Sequence, residues 1–224
     1  MIPALVGVPI KPFGVAKRRL APAVDAATRS LLGRAIAADT LSAVAASGAL
    51  PVVVTGDAGV ASWARAAGWE VIGERPGSGL DGAAAAVVAA SPRSWAVLHA
   101  DLPLVGPADL AAAWEVDAPT VLAPSRDGGT NLFVGSRPMR FAYGPGSFTR
   151  HFAGAPDATV VVRPGLALDL DTPADLAAVI SLGAPPRLAG LLGSAANGPA
   201  TPVPPPGRPS PTPSGASPAE RRSL

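Results

Sequence analysis

Three aspartates carry the residue types and spacing most suited to chemistry in this chain, and two of them stand in Leu168-Asp169-Leu170-Asp171. Thr172, Pro173 and Asp175 read as the N-cap, first and third residues of a helix, a reciprocal cap that leaves Asp169 and Asp171 free. In extended backbone, residues two apart face the same side, so these two carboxylates point the same way. Asp101 follows the apolar run Trp95 to Ala100. That run reads as a buried parallel strand delivering a carboxylate to its exit, where open α/β sheets bind ligands. Three hard oxygen donors at one sheet edge suit a magnesium ion working beside substrate phosphates. The competing reading has Asp101 closing an Asx turn, Asp171 complementing a helix dipole and Asp169 solvated at an edge.

Charges of the opposite sign, Lys11, Lys17, Arg18 and Arg19, crowd the segment after the first apolar run, Ala4 to Ile10. At the end of a buried strand they read as a basic loop facing an anion, although a bare charge run is also a solvated loop. Ser125 to Thr130 and Tyr143 to Phe148 combine glycines with hydroxyls, and Ser147 stands at the start of a predicted helix over 148–152. Both stretches read either as phosphate cradles or as plain turns. Neither has P-loop spacing. The two histidines, His99 and His151, lack metal-ligand spacing and read as structural. With no cysteine and no Gly-x-Ser-x-Gly elbow, covalent nucleophilic catalysis has little support.

The elements that must position these groups alternate regularly. Strands are predicted at 4–10, 51–55, 69–72, 95–100, 120–123, 129–134 and 158–162, with an extended run at 166–170. Helices are predicted at 25–47, 58–67, 82–90, 107–114, 148–152 and 173–182. The β-α-β-α-β opening implies right-handed crossovers and a parallel sheet, with a paired antiparallel excursion at 120–134. Residues 199–218 hold nine prolines and no aromatic residue follows Phe152. The expected organisation is therefore one domain over 1–190 and a Pro-rich disordered tail over 191–224.

The formal net charge of +2 comes from the C-terminal stretch 187–224, where Arg187, Arg208, Arg221 and Arg222 face only Glu220. The rest carries one acidic group in excess, so no basic face argues for nucleic acid. No apolar run reaches a membrane span and no signal segment opens the chain, so a cytoplasmic protein is expected.

Taken together, five stretches resemble, in order and spacing, a family of guanylyltransferases. These activate phospholactate or phosphoenolpyruvate in biosynthesis of the deazaflavin coenzyme F-420. The stretches are Val8-Pro9-Ile10-Lys11 with Ala16-Lys17-Arg18-Arg19-Leu20, Asp101-Leu102-Pro103, Gly129-Thr130, Gly144-Pro145 with Ser147, and Asp169 to Leu176. The resemblance implies a Rossmann-like, mostly parallel sheet of the nucleotidyltransferase type with helices on both faces. It implies Mg2+ on Asp101, Asp169 and Asp171, and a phosphorylated three-carbon acid held by Thr130, Gly144 and Ser147. GTP would meet Lys11, Lys17, Arg19 and Gly79, with Lys17 and Arg19 as the catalytic cations. Two departures stand out: Arg18 replaces a small hydroxyl residue, and Gly79-Leu80-Asp81 replaces Gly-Leu-Asn.

Two other readings compete. A molybdenum-cofactor guanylyltransferase would keep the fold, but the first loop lacks the Gly-x-Gly-x-x-type spacing that those enzymes resemble. A non-catalytic nucleotide-binding protein would work through its Pro-rich tail. Phosphoenolpyruvate is the expected acid.

Overall fold

In the computed structural model, which describes residues 2–15, 17–75 and 77–196, the first apolar run forms β1 (Leu5–Pro9) in the interior of a seven-stranded sheet. The other strands are β2 (Pro51–Thr55), β3 (Glu70–Gly73), β4 (Trp95–Leu98), β5 (Thr120–Pro124), β6 (Thr130–Gly135) and β7 (Thr159–Val160). Their order is β3-β2-β1-β4-β6-β5-β7. Pairing is parallel for β1 with β2 and β4, β2 with β3, and β5 with β7. Strand β6 runs antiparallel to both β4 and β5, the excursion the sequence predicts. The chain winds outward from β1 through β2 to β3, then returns to β4 on the other side of β1. That reversal opens a crevice beyond the carboxyl ends of β1 and β4, where the basic loop and Asp101 lie.

Adjacent residues along the strands go to opposite cores. Val53, Ala96, Leu98 and Leu132 join one cluster, while Val54, Trp95, Val97 and Phe133 join the other, which accounts for unbroken apolar runs. On the first face pack α1 (Ala26–Ala46), α2 (Ala58–Ala66) and α4 (Pro107–Trp114). On the second lies α3 (Gly79–Ala90) through Ala83, Ala84, Val87 and Val88. Asp25 caps α1, its carboxylate accepting from the Thr28 amide at 2.9 Å. Helix α5 (Ser147–Gly154) follows β6.

Two segments differ from expectation. Pro164 starts a single helical turn, α6 (Pro164–Ala167), so the extended run begins only at Leu168; proline pre-sets the dihedral of a first helical residue. After α7 (Pro173–Ser181) comes α8 (Pro186–Ala196). Its Leu188 is buried with Leu32, Ile36, Leu170 and Val179, and Leu191 and Leu192 pack against the same cluster. The expected boundary after 190 thus falls inside a helix, because Leu188, Leu191 and Leu192 have helical spacing that Gly190 obscures. The remainder of the expected tail, residues 197–224, lies outside the described residues.

Candidate active site

Lys17 sits at the centre of the crevice with φ 56°, the one non-glycine residue with positive φ among those described. Such backbone is strained for a side-chain-bearing residue and persists where its surroundings hold it. The side chain, 6% exposed, does the holding: Nζ donates to the Leu170 carbonyl at 2.6 Å and to Asp101 Oδ2 at 3.4 Å. The Leu170 amide donates to the Asp101 carbonyl at 2.9 Å. Basic loop, β4 exit and the extended run are therefore tied at one point. Arg19, mostly exposed, pairs with Asp171 Oδ2 at 3.2 Å. Around them opens a cavity of about 370 Å³, whose lining includes Ile10, Lys11, Lys17, Arg19, Asp101 and Asp171. Leu80 reaches the same cavity from the start of α3, where Gly79 has φ +67°, a turn that side-chain-bearing residues rarely adopt.

Asp169 and Asp171 alternate with buried Leu168 and Leu170 and keep partly open side chains, as the spacing requires. The three aspartates do not close into one cluster, however. Among the described residues no group of three or more His, Cys, Asp or Glu side chains is gathered to hold a metal ion. The expectation of three converging carboxylates is corrected in this respect, because cations occupy two of them: Lys17 sits on Asp101 and Arg19 on Asp171. Burial works to raise the Asp101 carboxyl, but the Lys17 ammonium and His99 outweigh it and hold it below its ordinary value. Asp169 makes no salt bridge among the described residues. Burial, then the charges of Asp101 and Asp127, push it up. Hard oxygen donors suit a divalent cation, and Asp169, the carboxylate that no ion pair compensates among the described residues, is the one with charge left to offer it.

The other expected residues gather at the starts of β6 and α5 and are not in the lining of that cavity. Ser147 Oγ lies 3.4 Å from Thr130 Oγ1, and both residues are buried. Gly144 has φ +112°, which only glycine takes without cost, and its amide has no partner among the described residues. The carbonyl of Gly144 accepts the Ser147 amide at 3.0 Å. His151 belongs to this group: Nδ1 is 3.0 Å from Thr130 Oγ1 and Nε2 accepts the Ala142 amide at 2.9 Å. Ser147 and His151 are one helical turn apart on the buried face of α5. That i, i+4 spacing is the sequence signal that the two side chains share a face. His99 has Nδ1 4.0 Å from Asp101 Oδ1 and a buried Nε2 without a partner among the described residues.

In both glycine-rich turns most of the amides that could cradle an anion are already taken. The Gly129 amide is taken by Ser125 Oγ at 2.7 Å and Asp127 Oδ1 at 3.2 Å. At the start of α5, the Ser147 amide goes to Gly144 and the Phe148 amide to the Gly128 carbonyl at 3.2 Å. An acid held here would meet the Gly144 amide and hydroxyls rather than a helix terminus. Asp81, one of the two departures, accepts the Tyr143 amide at 2.8 Å and so tethers the Gly144 loop to α3. The two sides are also joined at the end of α6, just before the extended run, since the Arg126 amide donates to the Ala167 carbonyl at 2.8 Å.

Residues 4–187 match the family described as "Guanylyl transferase CofC like". A phosphoenolpyruvate guanylyltransferase from Salinispora arenicola is 38% identical over 201 residues, covering 85% of this chain and 94% of that one. A 2-phospho-L-lactate guanylyltransferase from Halomicrobium mukohataei is 37% identical over 169 residues, covering 73% of this chain and 79% of its own. Among solved structures, one named for nucleotide-diphospho-sugar transfer, from Desulfovibrio desulfuricans G20, superposes with a TM-score of 0.67 at 16% identity. It covers 87% of this chain and 99% of that one. A nucleotidyl transferase from Methanothermobacter thermautotroptrophicus gives 0.56 at 16% identity, covering 80% and 96%. At such identities the likeness concerns the fold.

Proposed function

This chain belongs to the CofC-like guanylyl transferases, and from that premise we propose that it joins GTP to phosphoenolpyruvate, releasing pyrophosphate, in coenzyme F-420 biosynthesis. An oxygen of the acid's phosphate attacks the α-phosphorus of GTP. A new P–O–P linkage forms, the bond from the α-phosphorus to its bridging oxygen breaks, and pyrophosphate departs with the electron pair. A phosphate monoester is largely ionised at neutral pH, so the attack requires no general base. The barrier lies in bringing anions together, and stabilising charge where it develops is the main task of the protein.

The observation that carries this reading is the pairing of Lys17 and Arg19 with Asp101 and Asp171 at the mouth of one cavity. Lys17 is held rigidly by Leu170 and presents a fixed ammonium. Arg19, exposed and paired only at its tip, is placed to turn from Asp171 to a triphosphate. Lys11 and the Gly79 turn line or border the same cavity and complete the proposed nucleotide side. Magnesium, held by Asp101 and Asp169 with Asp171 released from Arg19, would supply Lewis-acid neutralisation of the phosphates. Thr130, Gly144 and Ser147 are proposed to grip the acid.

Identity to relatives of either name is nearly equal, and the gripping groups serve a phosphate and a carboxylate that both acids share. Phosphoenolpyruvate is proposed because those relatives span more of this chain. Among the described residues no helix is long and apolar enough to cross a membrane. A cytoplasmic location belongs to the proposal, as do the absence of nucleic-acid and membrane partners. The test is pyrophosphate release from GTP with each acid alone and with both in equimolar competition, ATP and CTP serving as controls. Release with phosphoenolpyruvate and GTP is expected; a clear preference for phospholactate would overturn the choice of acid, and release with neither would overturn the reaction.

A further inference from the structure

We propose that His151 is a positioning residue that sets the hydrogen-bond polarity of the acid site, leaving one hydroxyl proton of the Thr130–Ser147 pair for the ligand. The inference rests on the acid-site reading above and adds a residue and a direction to it.

The argument is a count of protons. The Ala142 amide can only donate, and it donates to His151 Nε2 at 2.9 Å. In a neutral imidazole one nitrogen accepts and the other carries the proton, so Nδ1 carries it and donates to Thr130 Oγ1 at 3.0 Å. Thr130 and Ser147 bring two hydroxyl protons, and one of them bridges the two oxygens across 3.4 Å. The other has no acceptor among the described residues. With the opposite tautomer, Thr130 would donate to Nδ1 and Ser147 to Thr130, and none would remain. Phosphate and carboxylate oxygens only accept, so the tautomer with Nδ1 protonated presents the polarity that an anionic acid needs.

The surroundings keep the imidazole neutral and fixed. His151 is 2% exposed and packs against Phe133, Phe141 and Tyr143. Burial pushes its pKa down to about 4, with Asp81 acting upward and Arg150 and His99 downward. The same ring anchors the loop carrying Gly144, because Ala142 lies two residues before it. Arg150 reinforces that anchor, donating to the Ala142 carbonyl at 2.8 Å and the Pro145 carbonyl at 2.7 Å.

Two isosteric amides separate the two ends of the ring. His151→Asn places its amide near Nδ1 and keeps the donor to Thr130; His151→Gln places it near Nε2 and keeps only the acceptor for Ala142. With each variant, KM is measured separately for phosphoenolpyruvate and for GTP, alongside thermal melting. His151→Gln is expected to raise the acid KM about tenfold, roughly the worth of one hydrogen bond to a charged ligand, because without the Nδ1 donor the two hydroxyls lose their fixed direction and the spare proton no longer points to the ligand; the GTP KM should stay within about twofold. His151→Asn is expected to restore most of the acid KM. An unchanged acid KM in His151→Gln, or both KM values rising together, would overturn the proposal. Ring ¹⁵N shifts of the wild-type chain test the tautomer without substrate: a protonated Nδ1 is expected, and a protonated Nε2 would overturn the proposal even if neither variant folds. Failure of the wild-type chain to turn over either acid, with the expected tautomer present, would instead count against the acid-site reading.

Discussion

Lys17 Nζ lies 2.6 Å from the carbonyl oxygen of Leu170, a residue 153 positions away in sequence. This single bond holds the basic loop onto the segment that carries Asp169 and Asp171, so the cation and the carboxylates are placed by one another. Lys17→Met keeps the stem and removes the charge. It should lower kcat/KM for pyrophosphate release by roughly 10²–10³, the range for losing one preorganised charge-stabilising donor. Because Asp101 is partly open to water, the cost to stability should stay near about 1–2 kcal/mol. A Lys17→Met chain with near wild-type turnover would remove Lys17 from the site.

Asp169 offers a prediction in which stability and activity move in opposite directions. Burial and the neighbouring charges of Asp101 and Asp127 raise its carboxyl above the ordinary value. A raised carboxyl penalises the folded state at neutral pH, and the penalty fades as pH falls through the folded value. Asp169→Asn should therefore raise the melting temperature of the metal-free chain at neutral pH. A rise of about 2–4 °C is what roughly 1 kcal/mol gives in a domain of this size. The same variant should lose activity, and added magnesium, expected to raise the melting temperature of the wild type, should not raise that of the variant. Equal magnesium stabilisation of variant and wild type would exclude Asp169 as a ligand.

The sheet was largely legible in the sequence because strands buried on both faces read as unbroken apolar runs. Trp95–Leu98 and Pro51–Thr55 are of this kind. The carboxylates were legible as residues, since Thr172 and Asp175 form the reciprocal cap that frees Asp169 and Asp171. Their pairing was not, because it depends on the left-handed backbone at Lys17, which local composition does not signal. The hydrogen bonds of His151 were hidden for a related reason. They go to Thr130, 21 residues away, and to an amide in an irregular loop. Arg18, the other departure, stays exposed on the rim of the cavity.

Asp175 predicts the acid limb of the stability curve. Burial works to raise its carboxyl, but the Thr172 hydroxyl, the amides of Thr172 and Asp171, and Arg126 outweigh it and lower it. A lowered carboxyl stabilises the fold above its ordinary range, and that contribution is lost as pH falls through the folded value. Asp175→Asn should cost about 1 kcal/mol at neutral pH, the usual worth of a cap, and should flatten the loss of stability below about pH 4. Denaturant melts across that range check it; parallel curves for variant and wild type would show that the cap contributes nothing.

Helix α8 gives the last prediction, which concerns where the domain ends. A cut after Gly190 would remove Leu191 and Leu192, which pack against the cluster of Leu32, Ile36 and Val179, and would leave Leu188 on a helix too short to hold its turn. Burying each such leucine contributes about 1.5–3 kcal/mol when complete, and these two are only partly buried, so the loss should be about 2–3 kcal/mol. In a domain of this size that corresponds to a fall of roughly 4–12 °C in melting temperature. A cut after Ala196 spares the whole helix and should melt several degrees above the cut after Gly190. Cation and carboxylate positions lie on other elements, so both truncations should keep kcat within about threefold at temperatures well below melting. Identical melting of the two truncated chains would mean that the last turn of α8 contributes nothing to the core and that the domain ends near residue 190 after all.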